Sequence, residues 1–151
     1  MTAVASFDKF TIGEVISTPS RVVSDEDVSS LVSLGGYTHP MFNDPGYAKA
    51  ASFGRIPLPG EAVLLLMGGL VEQTERFDET TIALVALEEV RFKAPAFAGD
   101  TLSVEMTVKD KRPSSAARTG TVDLLWRCLN GEGETLVEAT ARMLFRLLSD
   151  G

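Results

Sequence analysis

From residue 82 onward, apolar and polar positions alternate with a period of two. This pattern predicts four long strands, at Ile82–Lys93, Asp100–Lys111, Ala117–Leu129 and Leu136–Leu148. In the last, Ala139, Ala141, Met143, Phe145 and Leu147 alternate with Thr140, Arg142 and Arg146, so one face is predicted to lie on a core. Turn formers separate the strands at Ala98-Gly99-Asp100, Arg112-Pro113-Ser114-Ser115 and Asn130-Gly131-Glu132-Gly133. Upstream, Glu61–Val71 is apolar nearly all the way round from Ala62, as expected of a helix buried on most sides. Gly68-Gly69 inside it costs roughly 1 kcal/mol per glycine in helix propensity. The pair therefore predicts close approach to a strand or to a partner chain.

The first sixty residues carry shorter signals. Phe7–Gly13 reads as a lead-in segment, followed by short strand candidates at Glu14–Thr18 and Arg21–Val23. Ser24 is placed to cap a helix, with Asp25, Glu26 and Asp27 in the first turn, where the dipole favours negative charge. Val28, Leu31, Val32 and Leu34 supply its apolar face, and Gly35-Gly36 ends it. Asp44-Pro45 starts a short helix through Tyr47, Ala48, Ala50 and Ala51, which Phe53-Gly54 closes. Pro57 and Pro59 hold the chain extended up to Gly60. Helices early and antiparallel strands late make an α+β chain, expected as one domain over 1–151.

Composition narrows the chemistry. A net charge of −7 argues against nucleic-acid binding through a basic surface. The single cysteine rules out an internal disulfide, and with one histidine it cannot complete a His/Cys zinc site, so no metal is expected. No calcium-loop spacing is present. Met1–Phe10 has no basic stretch leading into an apolar one, so no secretory leader is expected. Glu61–Val71 is about half the length a bilayer requires. A soluble, cytoplasmic protein without membrane or nucleic-acid partners is the expectation.

The only histidine lies in Gly36-Tyr37-Thr38-His39-Pro40-Met41-Phe42-Asn43-Asp44, which Phe53-Gly54-Arg55-Ile56-Pro57-Leu58-Pro59-Gly60 follows. A turn that delivers polar groups to the start of a buried helix is a site architecture. A helix opening at Gly60 presents unpaired N–H groups and the positive end of its dipole. These two segments, with Ala51-Ser52 ahead of the second and Val90-Arg91-Phe92-Lys93-Ala94-Pro95-Ala96-Phe97-Ala98-Gly99-Asp100-Thr101-Leu102 further on, resemble the MaoC-like dehydratase family over nearly the whole chain. The resemblance implies a hot-dog fold, a long antiparallel sheet wrapped around one central helix. It implies activity on 2-enoyl or 3-hydroxyacyl thioesters of CoA or a carrier protein, as in (R)-specific enoyl-CoA hydratases. It requires no further cofactor. It implies a homodimer or higher oligomer, with the site at the subunit interface and an oxyanion hole at Gly60.

The family pattern is Gly-Asp-x-Asn-Pro-Leu-His, whose Asp and His form an acid/base dyad. Aligned on Pro40, the Asp position holds Tyr37, the Asn position His39 and the His position Phe42. Water addition to an enoyl thioester needs a base, an acid and donors to the developing enolate oxygen. Gly60 meets the last need. Phe42 transfers no protons. Tyr37 and His39 remain as the acid/base candidates. Each has a plainer reading, His39 as a structural residue of a tight turn and Tyr37 as an aromatic lid. Phe42, Asp44, Arg55, Pro59 and Glu61 are the substrate-contact candidates. Asp44 equally suits a helix cap, Arg55 a surface charge, and Glu61 a first-turn residue favoured by the dipole. Some hot-dog thioesterases use a carboxylate on the central helix, so Glu61 also opens a thioesterase reading. A third reading is a dyad-less binding or partner subunit of a hot-dog heterodimer. The basic residues Lys109, Lys111, Arg112 and Arg118 read as a solvated turn, and Cys128 as core.

Overall fold

The computed structural model describes residues 6–51, 53–114 and 116–147. The start of the N-terminal segment, together with Ser52, Ser115 and Leu148 of the predicted segments, lies outside the described residues. In chain order the elements are α1 (Ser6–Lys9), β1 (Val15–Ser17), β2 (Arg21–Val22), α2 (Asp25–Gly35), α3 (Pro40–Asn43), α4 (Pro45–Ala50), α5 (Gly60–Glu72), β3 (Thr81–Phe92), β4 (Thr101–Ser114), β5 (Thr119–Leu129) and β6 (Thr135–Arg146). The antiparallel sheet runs β1-β4-β5-β6-β3, and β2 adds to the β4 edge beside β1. α5 lies against its inner face. This is the hot-dog arrangement. Among the described residues no helix is long and apolar enough to cross a membrane.

The core is the contact between that face and one side of α5. Ala62, Val63, Leu66, Met67, Leu70 and Val71 are buried, a spacing that follows one stripe of a helix with 3.6 residues per turn. Val104, Met106 and Val108 of β4, Val122, Leu124 and Trp126 of β5, and Ala141 and Phe145 of β6 join it in one core cluster. The predicted burial of α5 on most sides is corrected in one respect. Its other side is bare: Leu65 is 60% exposed, and a Cβ at Gly68 or Gly69 would meet nothing within 4 Å. The glycine pair therefore makes no close approach to a strand of its own chain.

Local chemistry accounts for α2. Ser24 Oγ accepts from the Asp27 N–H at 3.0 Å, and Asp27 Oδ2 accepts from the Ser24 N–H at 3.0 Å, a reciprocal capping box. The Ser24 N–H, reinforced by Arg21, holds the Asp27 carboxyl below its ordinary pKa. At the other end Gly36 adopts φ 73°, the left-handed region that favours glycine. Leu34 does not join the apolar face and is 83% exposed. Six residues beyond Val28, it points roughly 120° away from that stripe.

Two predicted turns change character. The Arg112–Ser115 turn begins later, because β4 continues through Pro113 to Ser114, paired with Gly120 and Thr119. A residue without an N–H is tolerated there because β1 and β2 pair only with positions between Thr101 and Thr107, which leaves β4 unpaired on that side. Two of the basic groups nearby are occupied: Lys111 donates to the Phe10 carbonyl at 2.8 Å, and Arg112 pairs with Asp110 and Asp123. The lead-in segment contains the helical turn α1, and the Gly36–Asp44 turn contains α3.

Replacing Ser24 with alanine is expected to cost about 1 kcal/mol through loss of the cap, measured by urea unfolding. Ser24→Asp should retain most of that stability.

Candidate active site

The site starts at the end of α2. The Tyr37 N–H donates to the Val32 carbonyl at 3.1 Å, which turns the chain out of the helix. A Cβ at Gly35 would lie 2.6 Å from the Tyr37 ring, so glycine there lets the ring fold back onto the helix end. The Tyr37 hydroxyl then donates to Glu61 Oε2 in the first turn of α5. That bond, with the nearby negative charge and partial desolvation, raises the Tyr37 pKa above its ordinary value. Tyr37 is thus held as a phenol, a donor rather than a base.

The remainder of the turn is braced from within. Asn43 Nδ2 donates to the carbonyls of Tyr37 at 2.8 Å and His39 at 3.0 Å. His39 Nδ1 accepts from the Met41 N–H at 3.0 Å and so caps α3. Its ring stands edge-on to Tyr47 at 5.6 Å, on the exposed surface. Asp44 Oδ1 accepts from the N–H groups of Gly46 and Tyr47 at 2.9 and 3.2 Å, and so caps α4. Phe42 packs edge-on against Tyr37 at 5.2 Å.

The start of α5 is held by the preceding prolines and by the Leu58 N–H, which donates to the Ala96 carbonyl at 2.8 Å. Pro59 occupies the cap position and supplies no side-chain acceptor. Its carbonyl accepts from Ala62 and Val63, whereas the N–H groups of Gly60 and Glu61 have no partner among the described residues. These two donors and the positive end of the helix dipole point the same way, an arrangement suited to an anionic oxygen. Phe92 closes one side. A Cβ at Gly60 would lie 2.7 Å from its ring, so only glycine admits the ring at this distance.

Two cavities meet at this point. One, of about 350 Å³, is lined by Phe42, Pro59, Gly60, Glu61 and Phe92, among others. The second, of about 830 Å³, runs along the bare side of α5 from Glu61 to Glu72, facing Leu84 and Leu87 of β3. Glu61 lines both. The structure thus brings together Tyr37, Phe42, Pro59, Gly60 and Glu61. His39 and Asp44 line neither cavity. Arg55 stands apart, its guanidinium 4.0 Å above the Phe97 ring. With Lys49 and Phe42 it lines a third cavity, of about 500 Å³. Cys128 is core, and burial pushes its thiol up to about 12.

Sequence reading did not pair Tyr37 with Glu61, because 24 residues separate them. It also missed Phe92 as a wall of the site. The available signal was the large apolar residue ending a strand immediately before the Lys93–Asp100 loop.

A MaoC-like domain family profile matches residues 8–126. A search of curated protein sequences finds no match. Among solved structures, the chain is similar to a monoamine oxidase regulatory protein from Archaeoglobus fulgidus, at 29% identity and a TM-score of 0.87, covering 95% of each chain. It also superposes on a MaoC-like dehydratase from Rhodospirillum rubrum, at 20% identity and a TM-score of 0.80, covering 94% of this chain and 97% of that one. An R-hydratase from Pseudomonas aeruginosa gives 20% identity and a TM-score of 0.77, with 94% and 86% covered.

The Tyr37 contribution to stability is full below the ordinary phenol pKa and is lost as pH rises through the higher folded value. Glu61→Gln removes the carboxylate that causes the rise. It should shift the Tyr37 ionisation to lower pH in an ultraviolet phenolate titration, with Tyr37→Phe assigning the transition.

Proposed function

The chain belongs to the MaoC-like domain family, and from that membership we propose that it hydrates 2-enoyl thioesters, or dehydrates 3-hydroxyacyl thioesters, with Glu61 as the proton-transfer group. The observation that supports this most directly is the pair of unpartnered N–H groups at Gly60 and Glu61, beside a carboxylate that Tyr37 orients. The thioester carbonyl sits on the two N–H groups. Glu61 takes one proton from water as its oxygen bonds to C3. Charge moves to the thioester oxygen, where the helix start stabilises it. The Glu61 carboxyl returns the proton to C2, and one molecule of water has been added. Tyr37, held as a phenol, fixes the orientation of the carboxylate. The bare face of α5 and the apolar cavity beside it suit an acyl chain.

A second reading is a non-catalytic partner subunit. It is favoured by Tyr37 and Phe42 at the positions where the resemblance places the dyad.

Hydration of crotonyl-CoA, followed by loss of enoyl absorbance, separates the two. On the catalytic reading the wild type is active, Glu61→Gln lowers kcat/KM by about 10²-fold or more, and His39→Ala retains most activity. No hydration across a panel of enoyl thioesters would favour the partner-subunit reading. Thiol release that depends on Glu61 would instead favour a thioesterase.

Assembly follows the same proposal. β3 is an edge strand whose Ile82, Leu84, Val85 and Leu87 are exposed, next to exposed Leu65 of α5. A long apolar edge is a template for another chain. A homodimer paired through β3 is expected in sedimentation, and Val85→Lys should shift it toward monomer.

A further inference from the structure

Trp126 presents a problem that the fold leaves unsolved. Its side chain is 4% exposed, and its indole Nε1–H has no hydrogen-bond partner among the described residues. Buried donors are nearly always satisfied, and an indole nitrogen donates only, so this one requires an acceptor. Trp126 also lines the cavity that runs along α5 from Glu61. The sheet register places it toward the Gly60 end of the sheet. Phe92, which covers Gly60, lies opposite Val137, and Trp126 lies opposite Ala139, two residues further along β6. That is roughly 7 Å in the strand direction, and β5 and β3 flank β6, which adds two strand spacings of roughly 5 Å each across the sheet.

Among the described residues one other buried polar side-chain atom lacks a partner, Thr81 Oγ1, and Thr81 lines the same cavity. Thr81 lies opposite Phe145, six residues from Ala139 along β6, or roughly 20 Å. One small polar group therefore cannot satisfy both. Of the two, Trp126 is the one nearer the Gly60 end of the sheet.

We infer that Trp126 is a specificity-determining residue whose indole N–H donates to the C3 oxygen of a 3-hydroxyacyl thioester. This rests on the thioester reading above. Glu61 lines both cavities, so a ligand that straddles it places its carbonyl at Gly60 on one side and C3 beneath Trp126 on the other. The indole accepts no proton in the reaction. It holds the oxygen that is added or lost and discriminates a 3-hydroxyacyl chain from a saturated one.

The test compares octanoyl-CoA with 3-hydroxyoctanoyl-CoA by calorimetry on Glu61→Gln protein, which suppresses turnover, with and without Trp126→Phe. With Trp126 present, the hydroxylated ligand should bind roughly three- to tenfold more tightly. Trp126→Phe should abolish that difference and leave octanoyl-CoA binding unchanged. An undiminished preference in Trp126→Phe overturns the inference, as does no preference in either protein. Failure of both ligands to bind overturns the thioester reading and this inference with it. Trp126 is the only tryptophan, so its emission gives an independent readout that survives a poorly folding variant. A spectral shift with 3-hydroxyoctanoyl-CoA that octanoyl-CoA does not produce supports the assignment. A shift that depends only on protein concentration assigns the acceptor to a second copy of the chain and overturns it.

Discussion

The structure depends on one contact, the burial of a single side of α5 against the curved inner face of four long strands. Met67 and Leu70 on the helix, and Met106, Leu124 and Phe145 on the sheet, are almost wholly excluded from water. Truncating a side chain of this size in such a contact typically costs 2–5 kcal/mol, because the packing around it relaxes only in part. The same contact fixes where the start of the helix lies. The unpartnered N–H groups of Gly60 and Glu61 are therefore positioned by the core rather than by loop residues alone.

The outer face of the sheet solves a different problem. Asp123 is nearly buried there, yet it accepts from Arg142 at 2.8 and 3.2 Å and from Arg112 at 3.3 Å. Arg142 also reaches Glu88, and Arg112 also reaches Asp110. The result is a ladder of alternating charge across β3, β6, β5 and β4. Two guanidinium groups satisfy the buried carboxylate, and the ladder favours one strand register over slipped ones. Among the described residues the inner face carries no comparable ladder of ion pairs, which leaves it available to the helix and the cavities.

At the site, the same kind of hydrogen bond serves two purposes. Asn43, His39 and Asp44 direct their side chains to backbone groups of their own turn and make it rigid. Tyr37 and Glu61 direct theirs to each other, across two elements. The polar residues nearest the helix start are thus divided between those that build the corner and the pair beside the cavities. An imidazole that caps a helix through Nδ1 has committed that nitrogen to structure.

Much of this was legible in the sequence, wherever the cause is local. The period-two alternation after Ile82, the Ser24 cap with its Asp27 partner and the left-handed Gly36 each follow from residues within a few positions of one another. The helix start at Gly60 followed in the same way, because prolines before an apolar run leave few other conformations. The family resemblance extended this to the hot-dog wrap. What only the tertiary structure decided is which side chains meet. Tyr37 found Glu61 rather than His39, Phe92 came to cover Gly60, and one side of α5 stayed bare although its sequence is apolar all round. Those outcomes depend on how the sheet curls around the helix, a sum over many distant contacts. No spacing along the chain encodes a distance between residues brought together by that curl.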